Sequence, residues 1–130
     1  MRRSDRGSAL IEVAIVLPIL LVITIGMMDF GRAFYQKSLL DQAAREGCRL
    51  AVVTAPDVAL VQTRVTDLLD AGGMTPKGVI NVVGPGPDHM VTVTVQADYT
   101  FMTPGIFTLF GGGFGNTLTM TGKSTMRFEG

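Results

Sequence analysis

Few side chains in this 130-residue chain are placed to do chemistry, and the first of them is Glu12. It follows Gly7-Ser8-Ala9-Leu10-Ile11 and leads into an apolar run from Val13 to Met28. A carboxylate in a membrane segment costs about 2.5–3.5 kcal/mol at the centre and less near an edge. Such a group either reaches back to the headgroups or awaits a cation. The other candidates are weaker. Gly122-Lys123-Ser124 ends like a phosphate-binding loop, but the glycine needed five residues earlier is Thr117, and the segment alternates like a strand with no helix after it. The glycines between Gly111 and Gly115 likewise precede no helix signal and read as a loop. His89, beside Asp88 in a proline-rich turn, is the one histidine, which leaves few options for a nucleophile–base pair. Cys48 is the one cysteine, so no intrachain disulfide forms, and its small neighbours Gly47 and Ala51 mark it as a core residue. No set of residues is spaced as metal ligands. Asp29 and Arg32 stand at the spacing of a helical ion pair. No catalytic, cofactor-binding or metal-binding set emerges, and no enzyme is expected.

The elements that position Glu12 are legible. Lys+Arg and Asp+Glu are both 11, so net charge gives no case for a nucleic-acid partner, and no small-molecule site stands out. The length fits one small domain plus a membrane segment. From Leu10 to Met28 only Glu12, Pro18, Thr24 and Gly26 interrupt the apolar run. About 20 residues at about 1.5 Å rise cover about 30 Å, the thickness of a bilayer core. A cleaved secretory signal would have a shorter apolar region and an A-x-A-like site. This block ends instead in Met27-Met28-Asp29-Phe30-Gly31-Arg32, so a retained membrane helix is expected, with a kink at Pro18. Arg2, Arg3 and Arg6 hold the N-terminus on the cytoplasmic side and place the rest of the chain outside.

The helical pattern continues through Arg32 to Val53. Ala33, Leu40, Ala44, Gly47 and Ala51 share one face, and Arg32, Gln36, Lys37, Asp41, Arg45 and Arg49 make a polar side. The apolar face is small-sided at Ala43, Ala44, Gly47, Cys48 and Ala51, which lets another backbone approach, from a sheet or a neighbouring subunit. Thr54 and Asp57 have the spacing of a capping box, with Pro56 in the first turn. Val58, Val61, Val65, Leu68 and Leu69 predict a second helix over about 57–70, ended by Gly72-Gly73. The period then changes to two. Val79 to Val83 reads as a short strand. Met90 to Phe101 alternates, with Val91, Val93, Val95, Ala97, Tyr99 and Phe101 on one face. Thr103 to Gly115 holds an apolar patch at Ile106-Phe107-Leu109-Phe110, and Thr117 to Glu129 alternates again. Antiparallel strands with one apolar face need a cover, and the two helices supply it. The expected class is α+β: a long N-terminal helix, membrane-spanning and continuing outside, packed on a small antiparallel sheet.

Gly7-Ser8-Ala9-Leu10-Ile11-Glu12 resembles a type IV prepilin processing site, in which a basic leader ends in Gly and Glu is fifth in the mature chain. The longer string is similar to the TadE-like family of Tad (tight-adherence) pilus pseudopilins. It includes Val16-Leu17-Pro18, Asp29-Phe30-Gly31-Arg32-Ala33-Phe34-Tyr35 and Ala43-Ala44-Arg45-Glu46-Gly47-Cys48-Arg49. The end, Lys123 to Glu129, resembles that family's closing strand more weakly. Such proteins often have an aromatic after the Glu, where this chain has Val13.

The resemblance implies a pilin-like fold and a minor pilin-like subunit, or a membrane assembly factor, for an adhesive pilus. It implies cutting between Gly7 and Ser8 by an inner-membrane prepilin peptidase. Glu12 would then meet the freed cationic amine of Ser8, on its own chain or on a neighbour. The expected organisation is a leader over 1–7, a transmembrane helix over 8–30 and an extracytoplasmic α+β domain over 31–130. The expected location is the bacterial inner membrane, single-pass. The expected partners are the lipid bilayer, other pilin-like subunits and the pilus assembly platform. The alternatives are a pseudopilin of a secretion system and a membrane-tethered binding module that never enters a filament.

Overall fold

The computed structural model describes residues 2–54, 57–74, 80–101, 111, 115 and 117–128, with side chains from Gly7 onward. The expected patch Ile106–Phe110, Pro56, Val79 and Glu129 lie outside the described residues. The chain divides into two compact units, one of Met1–Arg32 with Met102–Gly115, the other of Ala33–Phe101 with Asn116–Gly130.

Helix α1 spans Arg2–Val53, 52 residues, and contains Pro18. Proline cannot donate to the carbonyl four residues back, yet the helix is continuous on both sides of it. In the first unit, α1 presents apolar side chains all round. Leu10, Ile15, Leu20 and Met28 are each more than 60% exposed. A helix apolar on every side is stable only in an apolar surrounding. By length and composition this one is able to cross a membrane, and none of its most apolar 18-residue window is buried. Its one hydroxyl there, Thr24 Oγ1, donates to the Leu20 carbonyl at 2.8 Å and so exposes no orphan donor.

The second unit is the α+β part. Helix α2 spans Val58–Ala71. Strands β1 (Asn81–Val83), β2 (Met90–Thr100) and β3 (Thr117–Arg127) form an antiparallel sheet in the order β1-β2-β3. Strands β2 and β3 pair along their whole length, from Met90 opposite Arg127 to Thr100 opposite Thr117. Val91, Val93, Val95, Ala97 and Tyr99 of β2 are all buried, as the alternation predicts. Phe101 falls just past the strand, half-buried, with its ring edge-on to Tyr99 at 5.0 Å.

The cover comes from Leu40, Ala43, Ala44, Cys48 and Ala51 of α1 and from Val61, Val65 and Leu69 of α2. Small residues on α1 let it sit close. A Cβ built on Gly47 would lie 2.8 Å from Val65 Cγ2 and 3.2 Å from Val93 Cγ1, so this glycine is wedged between α2 and the sheet. One built on Gly122 would lie 2.6 Å from the Leu40 carbonyl oxygen, so α1 lies directly against the backbone of β3.

The start of α2 differs from the expected capping box. Asp57, not Thr54, is the N-cap, and its Oδ1 accepts from the Ala59 and Leu60 N–H groups at 3.1 and 3.3 Å. Thr54 Oγ1 instead donates back to the Leu50 carbonyl of α1 at 2.8 Å. Both residue types satisfy helix-end groups, and the hydroxyl is taken by the helix that precedes it. The end of α2 is as expected: Gly73 adopts φ +74°, and the Met74 N–H donates to the Leu69 carbonyl at 2.8 Å.

Cys48 is fully buried. Its thiol donates to the Ser124 carbonyl of β3 at 3.1 Å and lies 3.5 Å from the Val91 carbonyl of β2. It ties α1 to two strands and is closed to reagents. In the folded protein a maleimide is therefore expected to leave Cys48 unlabelled, with stoichiometric labelling appearing only as denaturant unfolds the second unit. Labelling at the rate of a free thiol in native buffer would refute this packing.

Candidate functional site

Gly7, Ser8 and Glu12 lie along α1, all exposed. Ser8 and Glu12 are one helical turn apart and share a face. Glu12 lines a shallow groove on the helix with Val13, Val16, Leu17 and Leu20. The groove beside it is thus apolar among the described residues, which leaves the carboxylate suited to a partner brought from outside the groove. The Gly7–Ser8 peptide is itself helical, so cleavage there would require the first turns of α1 to unwind. Gly7 lowers the cost, since glycine weakens a helix by about 1 kcal/mol relative to alanine.

The remaining candidates fall into two groups that the structure does not bring together. Asp29 is 4% exposed, while Met28 and Phe30 on either side are 68% and 65% exposed. It is engaged in an interaction, not a bare charge on the helix. Gly31 and Arg32 are exposed, and among the described residues no atom lies within 4 Å of a Cβ built on Gly31. Packing among the described residues therefore does not demand glycine there.

The Arg45-Glu46-Gly47 group sits on the second unit. Gly47 is the wedge described above, and Arg45 is exposed. Glu46 is held by Arg49, whose Nε and Nη2 donate to its two carboxylate oxygens at 3.0 and 2.8 Å. Arg64 of α2 approaches to 3.9 Å. The Arg49 hydrogen bonds hold the Glu46 carboxyl below its ordinary range, against partial desolvation, and raise the Arg49 guanidinium in turn. The pair is solvated, so it adds little to stability.

Two residues with a positioning role escaped the sequence reading. Arg64 reaches Glu46 from another helix, and no local spacing signals that. Lys37 Nζ donates to Asp41 Oδ1 at 2.8 Å and also to the Thr121 carbonyl at 2.6 Å, tying α1 to β3. The Lys37–Asp41 half is a helical i,i+4 pair and was open to reading; the Thr121 half was not.

Among the described residues one helix, long and apolar enough to cross a membrane, continues into a small α+β unit, which suggests a membrane-anchored protein. Its family relation is carried by that helix: a family model described as TadE-like protein matches residues 7–49, from the proposed processing glycine to Arg49. The match bears out the resemblance seen in the sequence and suggests involvement in a Tad-type pilus. It covers about a third of the chain, and the sheet lies beyond it. Comparison with curated proteins and with solved structures gave no match.

Proposed function

We propose that this chain is a pilin-like subunit or membrane assembly factor of a Tad-type adhesive pilus. The observation that carries the reading is the coincidence of the TadE-like match over 7–49 with one helix that is bare and apolar where a bilayer or other subunits would surround it. In this reading the N-terminus is cytoplasmic in a bacterial inner membrane, residues 1–7 are a leader, 8–30 span the bilayer and 31–130 lie outside. A prepilin peptidase cuts after Gly7. The new amine at Ser8 then lies one turn from Glu12 of its own chain and is free to meet Glu12 of a neighbour. In a low-dielectric setting that ion pair offsets the cost of burying the carboxylate. Pro18 leaves one carbonyl of the span without its helical donor, a point where the helix is able to bend as it changes surroundings.

Mass spectrometry of the protein purified from cells with an active prepilin peptidase tests the processing. The expected chain begins at Ser8. An intact Met1 in such cells would show that the chain works uncut, as an inner-membrane assembly factor.

A further inference from the structure

Within the second unit the two covering helices carry opposite charge on their outer flanks. On α1, Lys37, Asp41 and Arg45 follow at steps of four and make one ridge. The ridge begins against β3, where Lys37 Nζ donates to the Thr121 carbonyl as well as to Asp41, and winds outward to Arg45. Glu46, one residue further on, is turned the other way, towards Arg64 of α2. Arg45 is therefore on the side of α1 away from α2. It is exposed and has no ion-pair partner among the described residues, because Asp41 is taken by Lys37, and Glu46 by Arg49 with Arg64 close by.

Helix α2 carries the counterpart. Gln62, Thr66 and Asp70 make its ridge at steps of four. That ridge begins on the β1 side, where Gln62 Nε2 donates to the carbonyl of Ile80, the residue before the strand, at 3.5 Å. Asp70 continues the ridge outward, away from Arg64 and α1, and Asp67 stands about one turn before it. Both carboxylates are exposed, and neither has an ion-pair partner among the described residues. Strands β1 and β3 are the two edges of the sheet. The cationic flank is thus at one edge of the unit and the anionic flank at the other.

We propose that the second unit meets a second copy of itself head to tail, with Arg45 of one copy against Asp67 and Asp70 of the next. Charge complementarity selects the occupant, since each flank supplies what the other lacks. The helices agree in direction. Within one chain α1 and α2 run antiparallel, Glu46 lying opposite Arg64 and Leu39 opposite Gly72. A neighbour in the same orientation therefore presents its α2 antiparallel to this α1, as the chain's own α2 does. Unlike faces in contact leave one of each kind unused at the ends, so the contact repeats along a row instead of closing a pair. Exposed ion pairs add little affinity, but they fix which faces meet and reject like against like. The contact rests on the pilin-like reading for the shared orientation of the copies, and adds to it the faces through which they meet.

A zero-length cross-link tests it in the full chain. Arg45→Lys keeps the charge and gives a carbodiimide an amine to join to a carboxylate in direct contact. Light-nitrogen and heavy-nitrogen chains of this variant are mixed, reconstituted in phosphatidylcholine vesicles at high protein content, cross-linked and digested, and the joined peptides are read by mass spectrometry. The Lys37–Asp41 amide, formed within one chain, shows that the reagent has acted. The expected product is a mixed-label amide between position 45 and Asp67 or Asp70, reduced at least several-fold when Asp67→Asn and Asp70→Asn are added to both chains. Only same-label products at position 45, with the Lys37–Asp41 amide present, would overturn the contact. Mixed-label amides from position 45 to other carboxylates would also overturn it, by showing that different faces meet. Either failure is distinct from a failure of the pilus reading, which the chain start at Ser8 tests separately.

Discussion

Replacing Gly122 with alanine is expected to cost the second unit about 3 kcal/mol of unfolding free energy, at the upper end of what overpacking costs. Glycine-to-alanine changes in a strand usually help, by about 0.4–1 kcal/mol, because alanine has less unfolded freedom to lose. Here the sign is reversed by position. The new methyl would stand 2.6 Å from the Leu40 carbonyl oxygen and 2.7 Å from its carbon. Those are backbone atoms in the middle of a helix, and no rotamer change moves them. Helix α1 would have to lift from β3, loosening the Lys37 and Cys48 contacts to Thr121 and Ser124 on either side. Gly72→Ala is the control. There the nearest atom to an added methyl is the end of the Leu39 side chain, which is able to rotate away, so a change within about 1 kcal/mol is expected. Denaturant unfolding of both variants in detergent measures the difference. A Gly122→Ala variant as stable as the parent would mean that α1 does not seat on β3 at this point. The loss is a large share of the roughly 5–15 kcal/mol typical of a domain.

The same contact shows what the sequence exposed and what it hid. The parity of β3 put Gly122 on the apolar face, but not the reason a glycine stands there, which is the arrival of a helix from eighty residues away. Strand β2 was legible in full because five inward residues alternate with polar ones without a break. The small face of α1 was legible for the same reason, since Ala43, Ala44, Gly47, Cys48 and Ala51 recur at helical spacing and all are buried. Strand β1 was less so: Asn81 and Val83 are exposed and only Val82 is half-buried, so burial imposes little pattern on an edge strand. Ser124 is a polar residue on the inner side of β3, half-buried, and its neighbour Cys48 contacts its backbone instead of its side chain. Of the motif string, the Arg45 to Gly47 part resolves into packing and a solvated ion cluster. What remains for function lies on the helix before it, where among the described residues no side chain answers Glu12.

Glu12→Ala is the change expected to act on function most, and its physics separates assembly from insertion. Removing a carboxylate from an apolar helix makes insertion easier, by up to about 2.5–3.5 kcal/mol. The variant protein must therefore reach the membrane at least as well as the parent, and any defect arises later. If Glu12 receives the amine of an incoming chain at about 4 Å in a medium of effective dielectric near 20, the attraction is about 4 kcal/mol. At about 1.4 kcal/mol per decade this is nearly a thousandfold in the affinity of one docking step. The expected result is normal abundance in the membrane fraction with piliation reduced to background. Glu12→Gln keeps the shape and a hydrogen-bonding group but not the charge, so it is expected to behave like alanine; if it restored piliation, a hydrogen bond and not an ion pair would be the requirement. Normal piliation in Glu12→Ala, scored by electron microscopy against cells lacking the protein, would reduce Glu12 to a charge that reaches the cytoplasmic headgroups. The cut at Gly7 need not have occurred in the same chain, because the amine is able to come from any processed neighbour. An uncut chain with Glu12 intact would still accept a partner, whereas a cut chain lacking Glu12 would offer its own amine and accept none. Mixing Glu12→Ala with a Gly7 variant that escapes the cut, in one cell, is therefore expected to restore part of the piliation that neither supports alone.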